Sequence, residues 1–416
     1  MPESLKPRQS AVRILMRVLN EGKTLPAAIG EEKDFLGYSD SDKNFIRLLI
    51  LTTLRRLGQI DGVMGKLLVR PLPKKQQVVR QILRLGIAQA LFLKTPAYAV
   101  VNTSVALTKK FHFNGLSGLV NAVMRGMFRL KNPMAKWDNP IVNFPDWMMN
   151  SWQKAYGKGK AQKMAESMMM EPPLDISVPN CPEKWAEKWQ GSLLPTGGVR
   201  VPVSGPDMLE GFQKSGCWVQ NAAASVPAQL FTDIKGKRVA DLCAAPGGKT
   251  AQLAHRGAQV VAFDVSEKRA ERLKENMARL GLKPEIRVSD ILDIEENEIF
   301  DAVLLDAPCS ATGTLARHPE IKYHTTLDDV NRLSELQKAL LSKAVQLVKK
   351  GGEIVFSTCS LEPEEGDEVI KSVLDVADII KPADKKWQAF MTPARSLRIL
   401  PFDGYDGFYA CLLKKK

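Results

Sequence analysis

The chain has 416 residues, 44% apolar and 25% charged, which is ordinary globular composition at a length that calls for two or three domains. Six cysteines without a CxxC pair exclude a disulfide scaffold, and four histidines without ligand spacing exclude a zinc site. The net charge of +13 sits at one end, since residues 1–150 hold 23 Lys and Arg against 10 Asp and Glu, while 151–416 hold 36 of each.

The opening Met-Pro-Glu-Ser-Leu-Lys-Pro-Arg does not read as a signal peptide, and the longest apolar runs are broken well short of a membrane span. A reduced, cytoplasmic protein is expected, with no bound metal and no membrane partner. Residues 1–135 are predicted to be all helical. Ala11, Ile14, Leu15, Val18 and Leu19 recur at helical spacing. So do Val79, Ile82, Leu83 and Leu91, and further on Leu116, Leu119, Val120, Val123, Met124 and Met127. Between them lie Arg13, Arg17, Arg55, Arg56, Arg80, Arg84, Arg125 and Arg129, and residues 51–136 contain 15 basic residues and a single acid, Asp61. A basic helical domain of this kind suits a polyanion.

Residues 136–225 read as a small α/β connecting region, with strand-like runs at "LDISV" (174–178), "GVRVPV" (198–203) and "CWVQ" (217–220). The "SMMM" run at 167–170 is expected to be packing. From residue 226 to the end an α/β domain is predicted. Its strands are "KRVADLC", "AQVVAFDV", "PEIRVSD", "FDAVLLDAP" and "GEIVFSTC", and its helices are "KTAQLAHR", "EKRAERLKENMARL" and "LSELQKALLSKAVQLVKK", the last closed by Gly351-Gly352. A late piece, "GFYACLLKK", suits an antiparallel strand. This alternation predicts a doubly wound, Rossmann-like parallel sheet that binds ligands at the carboxyl ends of its strands.

The chemistry-bearing residues fall at those ends. "DLCAAPGGKT" (241–250) joins the first strand to the first helix, where Gly247 and Gly248 admit close backbone approach and the helix start offers free N–H groups. There is neither a GxGxxG nor a P-loop, so NAD and ATP fit poorly. Asp264 ends the next strand, 17 residues after Gly247, where it can accept from a ribose diol; Asp290 ends the third, toward an adenine edge. That ordered set is the layout of an S-adenosylmethionine site. Cys309 and Cys359 each stand where an apolar strand ends. Cytosine C5 has no lone pair for a methyl group, and a thiolate adding to C6 would make C5 nucleophilic. For Cys181, Cys217 and Cys411 a packing role is expected.

At "DLCAAPGGKT", "LLDAPCSATGTLARHPEIKY" and "STCSLEPEE" the chain resembles the RNA (cytosine-5)-methyltransferase family of the NOL/NSUN/Sun type. Its basic helical start resembles a NusB-like RNA-binding domain, and the pairing is similar to the bacterial RsmB subfamily of 16S rRNA (cytosine-C5)-methyltransferases. The resemblance implies an all-α NusB-like domain over 1–135, the small α/β region over 136–225, and a Rossmann-like S-adenosylmethionine-dependent methyltransferase domain over 226–416. It implies Cys359 of Thr358-Cys359 as nucleophile and Cys309 of Pro308-Cys309 in release of the methylated base. It carries the cofactor loop onto Cys243, Ala244, Ala245, Pro246, Gly247, Gly248 and Lys249, with Asp264 as ribose acid and Asp290 as adenine-side acid. Asp306 would face cofactor and target base, with Lys249 as its electrostatic partner. The expected partner is 16S rRNA, naked or in an assembling small subunit, bound by a monomer. The same chemistry on transfer RNA and a non-catalytic assembly factor are the alternatives, with a nicotinamide oxidoreductase further behind. The sequence departs from the family pattern at "SVP" (177–179), at Asn221 and at Gly366.

Overall fold

The computed structural model describes residues 5–203, 205–402 and 404–416. The chain divides into two compact units, Met1–Met170 with Leu315–His324, and Glu171–Thr314 with Thr325–Lys416.

The first unit is helical, as its periodicity predicts. Helices Leu5–Glu21, Asp40–Arg55, Leu57–Leu67, Gln77–Leu91, Ala97–Lys110 and Ser117–Arg129 surround one apolar core. Gln77–Leu91 is its centre, buried at every residue from Gln81 to Gln89. Gly86 lets its neighbours approach, because a Cβ there would come within 2.6 Å of Met124 Sδ and 2.9 Å of Ser104 Oγ.

The arginines between the apolar positions do not all form a surface. Arg55 and Arg84 are buried. Arg84 donates to both oxygens of Asp61, at 2.8 and 2.5 Å, so the lone acid of the basic stretch is taken up by a buried cation. Arg13 and Arg17 pair with buried Glu32 at 2.9 and 2.8 Å. Of the eight arginines named above, only Arg125 and Arg129 are exposed; the rest of the exposed positive charge includes Lys66, Arg70, Lys74, Lys75, Lys94 and Lys109.

Helices Asp146–Tyr156 and Lys158–Met168 belong to this unit, so the residues read as one connecting region are divided at Met170. Of the "SMMM" run, Met168 and Met169 pack inside while Met170 is 65% exposed. The segment Leu315–His324 also packs here. Arg55 Nε donates to Ala316 O at 2.9 Å, Tyr323 Oη to Leu54 O at 2.7 Å, and Lys322 Nζ to Arg55 O at 3.0 Å. Burial holds the Lys322 ammonium well below its ordinary pKa, reinforced by the charges of Arg55 and Arg56. The motif "LLDAPCSATGTLARHPEIKY" is therefore split at Thr314, its second half built into the helical unit.

The second unit holds two sheets. Strands β1 (Leu174–Ser177), β2 (Ser192–Leu193), β3 (Val199–Val201) and β4 (Trp218–Val219) form a small antiparallel sheet in the order β2-β3-β1-β4. The larger sheet contains β5 (Arg238–Leu242), β6 (Gln259–Asp264), β7 (Glu285–Val288), β8 (Phe300–Asp306), β9 (Val348–Thr358), β10 (Ala377–Ile379), β11 (Leu397–Ile399) and β12 (Phe408–Lys415). Its order is β10-β12-β9-β8-β5-β6-β7, with β11 beside β12. Strands β5 to β9 run parallel, and β12 pairs antiparallel to β9. This is the doubly wound sheet expected, with its crevice between β5 and β8, where the order reverses.

One boundary differs. The long helix starts earlier, at Leu327, under a capping box from Thr326 and Asp329, and ends at Leu347. Gly351-Gly352 does not close it but lies inside β9, in a bulge where the register jumps from Phe300↔Val348 to Ala302↔Glu353. A Cβ on Gly352 would meet Asp301 O at 2.7 Å.

Candidate active site

The turn after β5 is shaped by glycine. Gly247 has φ of +105°, and a Cβ on it would lie 2.4 Å from Leu273 Cδ1. No other residue fits both the backbone and the space. Gly248 then opens the helix Gly248–His255, whose first N–H groups lack helical partners. Asp264 stands at the end of β6, 1% exposed, and accepts from Ala245 N at 3.2 Å and Ser266 N at 3.0 Å. Arg269 approaches it at 3.3 Å and donates to Ala245 O at 2.9 Å. Asp264 thus fixes the loop carrying Ala244, Ala245 and Pro246 to the next helix. Asp290 follows β7, exposed, with Oδ1 accepting from Leu292 N at 2.9 Å.

Asp306 ends β8, and both its oxygens are engaged. Oδ2 accepts from Lys249 Nζ at 2.7 Å and Oδ1 from Ser357 Oγ at 2.8 Å. The Lys249–Asp306 pair expected from the resemblance is therefore formed. Cys309, three residues beyond β8, and Cys359, the first beyond β9, bring their sulfurs to 3.4 Å. Cys309 is held well above the ordinary thiol pKa, first by its hydrogen bond with Cys359, then by burial and by the charges of Cys359 and Glu365.

Two residues of the quoted motifs that had no assigned role sit inside this cluster. Asp241, in β5, is 0% exposed; Oδ2 accepts from Thr250 Oγ1 at 2.6 Å while Oδ1 has no partner. Burial, opposed by Thr250 and Lys249, raises its pKa to about 7. Glu365 accepts from the backbone N–H of Ser310 and, like Asp241, is fully buried inside what the sequence presents as a strand end or an acidic loop. Cys243 follows β5 in a left-handed conformation, φ +63°, and burial chiefly raises its pKa to about 12. Cys217 and Cys411 are buried and also raised, whereas Cys181 is exposed.

The departures from the family pattern have local explanations. Ser177 Oγ donates to Gln220 Oε1 at 2.7 Å, and Asn221 Oδ1 caps Ala223 N at 2.8 Å. A side chain at Gly366 would come within 2.5 Å of Arg398 Nη2. A separate cleft of about 380 Å³, walled by Trp218, His255, Arg256 and Lys386, is also lined by Ser177, Val178 and Pro179 of the departure at 177–179, and contains none of the candidate catalytic or cofactor residues.

The sheet order, the glycine turn and the strand-end acids define an S-adenosylmethionine-dependent methyltransferase. The turn fits that cofactor, because Gly247 takes a backbone conformation that glycine alone adopts readily, the helix start at Gly248 offers N–H groups without helical partners, and Asp241 Oδ1 is buried without a partner.

The family described as 16S rRNA methyltransferase RsmB/F matches residues 228–414, and the NusB family matches residues 5–129. Ribosomal RNA small subunit methyltransferase B of Klebsiella pneumoniae (strain 342) is 31% identical over the full length of both chains. Among solved structures, a methyltransferase homolog protein from Pyrococcus horikoshii is 26% identical, covering 67% of this chain and 98% of that one with a TM-score of 0.57. The crystal structure of PH0851, 22% identical, shares the fold over 98% of this chain and 99% of that one with a TM-score of 0.78. The chain belongs to the RsmB/F family and is an S-adenosylmethionine-dependent rRNA methyltransferase with a NusB-family domain.

Proposed function

We propose that this protein methylates C5 of a cytidine in 16S rRNA in the cytoplasm, through a covalent bond between Cys359 and C6 of the base. The observation that supports this most is the pair of thiols 3.4 Å apart at the ends of β8 and β9. Methylation of oxygen or nitrogen needs no thiol. A reaction through C5 needs one sulfur to add to C6 and gains from a second that assists its departure. Bound S-adenosylmethionine supplies an electrophilic methyl group. Gly247, Gly248 and Asp264 would hold it, with Asp290 on the adenine side, and Cys243, Ala244, Ala245 and Pro246 form the wall of the loop. Lys249 and Asp306 would bind and orient the target base. Cys359 would act as thiolate nucleophile and Cys309 as the thiol that assists release. The base must leave its stack to reach them, so an accessible loop cytidine is the suitable substrate.

The relatives are named for the ribosomal small subunit, which favours 16S rRNA over transfer RNA. The exposed cations of the helical unit, Arg125 and Arg129 among them, support RNA binding. Two tests apply. Bisulfite sequencing of 16S rRNA and transfer RNA, from cells with and without the protein, should show one protein-dependent 5-methylcytidine in 16S rRNA; a mark confined to transfer RNA, or none, would refute the reading. Arg125→Glu with Arg129→Glu should weaken RNA binding and flatten its salt dependence, by roughly 0.7 in log–log slope per lost single-strand phosphate contact.

A further inference from the structure

Glu365 is a fully buried carboxylate near the cysteines, and the activity described so far gives it no task. It ends the turn Pro363–Glu365, six residues after Cys359, and is 0% exposed. Oε1 accepts from Ser310 N at 2.8 Å and from Gln337 Nε2 at 3.0 Å, while Oε2 accepts from Ser310 Oγ. Gln337 Nε2 also donates to Pro308 O at 2.8 Å. The two residues flanking Cys309 are therefore held by Glu365 and by its own donor. On the other side, Thr358 Oγ1 donates to Glu365 O at 3.0 Å, which ties the same residue to the one preceding Cys359. No ion pair reaches Glu365 among the described residues. Three donors thus converge on its two carboxyl oxygens, which satisfies the buried group by hydrogen bonds alone.

We infer that Glu365 is the positioning residue of the release step: its carboxylate fixes the Cys309 turn, and its carbonyl ties that turn to the Cys359 strand end. The inference rests on the proposed roles of the two cysteines. In release, the C5 proton passes to water, the C5–H electron pair re-forms the C5–C6 double bond, and the C6–S bond breaks with its pair leaving on Cys359 sulfur. A neighbouring S–H can donate to that developing thiolate, whereas a neighbouring thiolate would repel it. The groups facing Cys309 are Cys359 from the end of β9 and Glu365 from the turn, and both oppose its ionisation. Glu365 is thus placed to act after the Cys359–C6 bond has formed, and not before.

The experiment compares Glu365→Gln, Ser310→Ala and Cys309→Ala in the full-length protein, with S-adenosylmethionine and a 16S rRNA fragment containing the target. Glu365→Gln should lower kcat roughly 10- to 100-fold, the range for losing a hydrogen bond to a charged group, with the KM for cofactor and RNA within about twofold. It should also leave a denaturation-resistant protein–RNA band, as Cys309→Ala does. Ser310→Ala removes one donor and should give a weaker band; it serves where Glu365→Gln fails to fold. Wild-type turnover without a band in both variants would overturn the inference. So would a loss of kcat and cofactor binding together with no band, because that marks a merely structural carboxylate. If Cys309→Ala itself yields no band, the assigned release role fails and the Glu365 inference falls with it. A band in Cys309→Ala but in neither other variant overturns the Glu365 inference alone.

Discussion

Cys243 and Cys359 each follow a parallel strand of the same sheet, yet their surroundings differ. Cys243 follows β5 among carboxylates: burial first, then the charges of Asp306, Asp264 and Asp241, push its thiol up to about 12. Cys359 follows β9, is partly exposed, and has another sulfur at 3.4 Å. At the β5 and β6 ends, the polar side chains hold the backbone of the cofactor loop. At the β8 and β9 ends, backbone and buried side chains hold the thiols. A strand-end cysteine is therefore assigned by what lies around its sulfur, not by its topological place.

The sharpest test of this contrast is at the cysteines with assigned chemistry. Cys359→Ala should remove all detectable methyl transfer and form no covalent species, while Cys309→Ala should accumulate a protein–RNA adduct that disappears in the double variant. Gel electrophoresis under denaturing conditions reads both. An adduct in Cys359→Ala would exchange the two roles.

Asp241 tests the other end. Its carboxyl is raised from 3.8 to about 7, chiefly by burial, so the folded chain keeps a proton that the unfolded chain loses near pH 4. Stability from this group is complete below that pH and is lost as pH rises through about 7; the difference corresponds to roughly 4 kcal/mol. Asp241→Asn should remove this slope. Thermal midpoints of both proteins from pH 4 to 8 should lie close together at the acid end, where Asp241 is protonated like the neutral amide, and diverge toward alkaline pH, with the wild type losing. Parallel curves would mean that Asp241 does not titrate there.

Asp264 is expected to matter less to the fold and more to the cofactor. Removing its carboxylate with Asp264→Ala should weaken S-adenosylmethionine by about 1–3 kcal/mol, the range for a hydrogen bond to a charged group. Calorimetry with the cofactor alone reads this, and RNA affinity without cofactor should stay unchanged. An unaltered cofactor affinity would leave Asp264 a structural role, in its bonds to Ala245 N and Ser266 N and its ion pair with Arg269.

Much of the sheet could be read in advance because parallel strands buried on both faces are short apolar runs, and their ends mark the ligand edge. Asp264, Asp306, Cys309 and Cys359 were legible for that reason. Gly351-Gly352 misled because a glycine pair after two lysines looks like a helix end, whereas the bulge that needs it depends on Asp301 of a neighbouring strand. Arg55 and Arg84 looked like a cationic face, since nothing local shows that a backbone carbonyl and Asp61 will absorb them. Glu365 sits in an acidic loop that reads as solvent-exposed, and its partners Ser310 and Gln337 lie 55 and 28 positions away. The split of the long motif at Thr314 has no periodic signature either, because Leu315–His324 is held by single hydrogen bonds to distant carbonyls.

The smallest expected effect closes the comparison at Cys243. The resemblance assigns it to the cofactor loop, and what the loop asks of this position is a left-handed backbone and a small apolar side chain. A thiol with a pKa of about 12 is not an anion near neutrality and offers no nucleophile. Cys243→Ala keeps the size and the apolar character. Its turnover and cofactor affinity should lie within about threefold of wild type, under ~0.7 kcal/mol. A thiol-specific alkylating reagent should inactivate this variant as fast as the wild type, because the proposed nucleophile is Cys359. Protection of the Cys243→Ala variant from the reagent would make Cys243 the reactive thiol and remove the distinction between the two ends of the sheet.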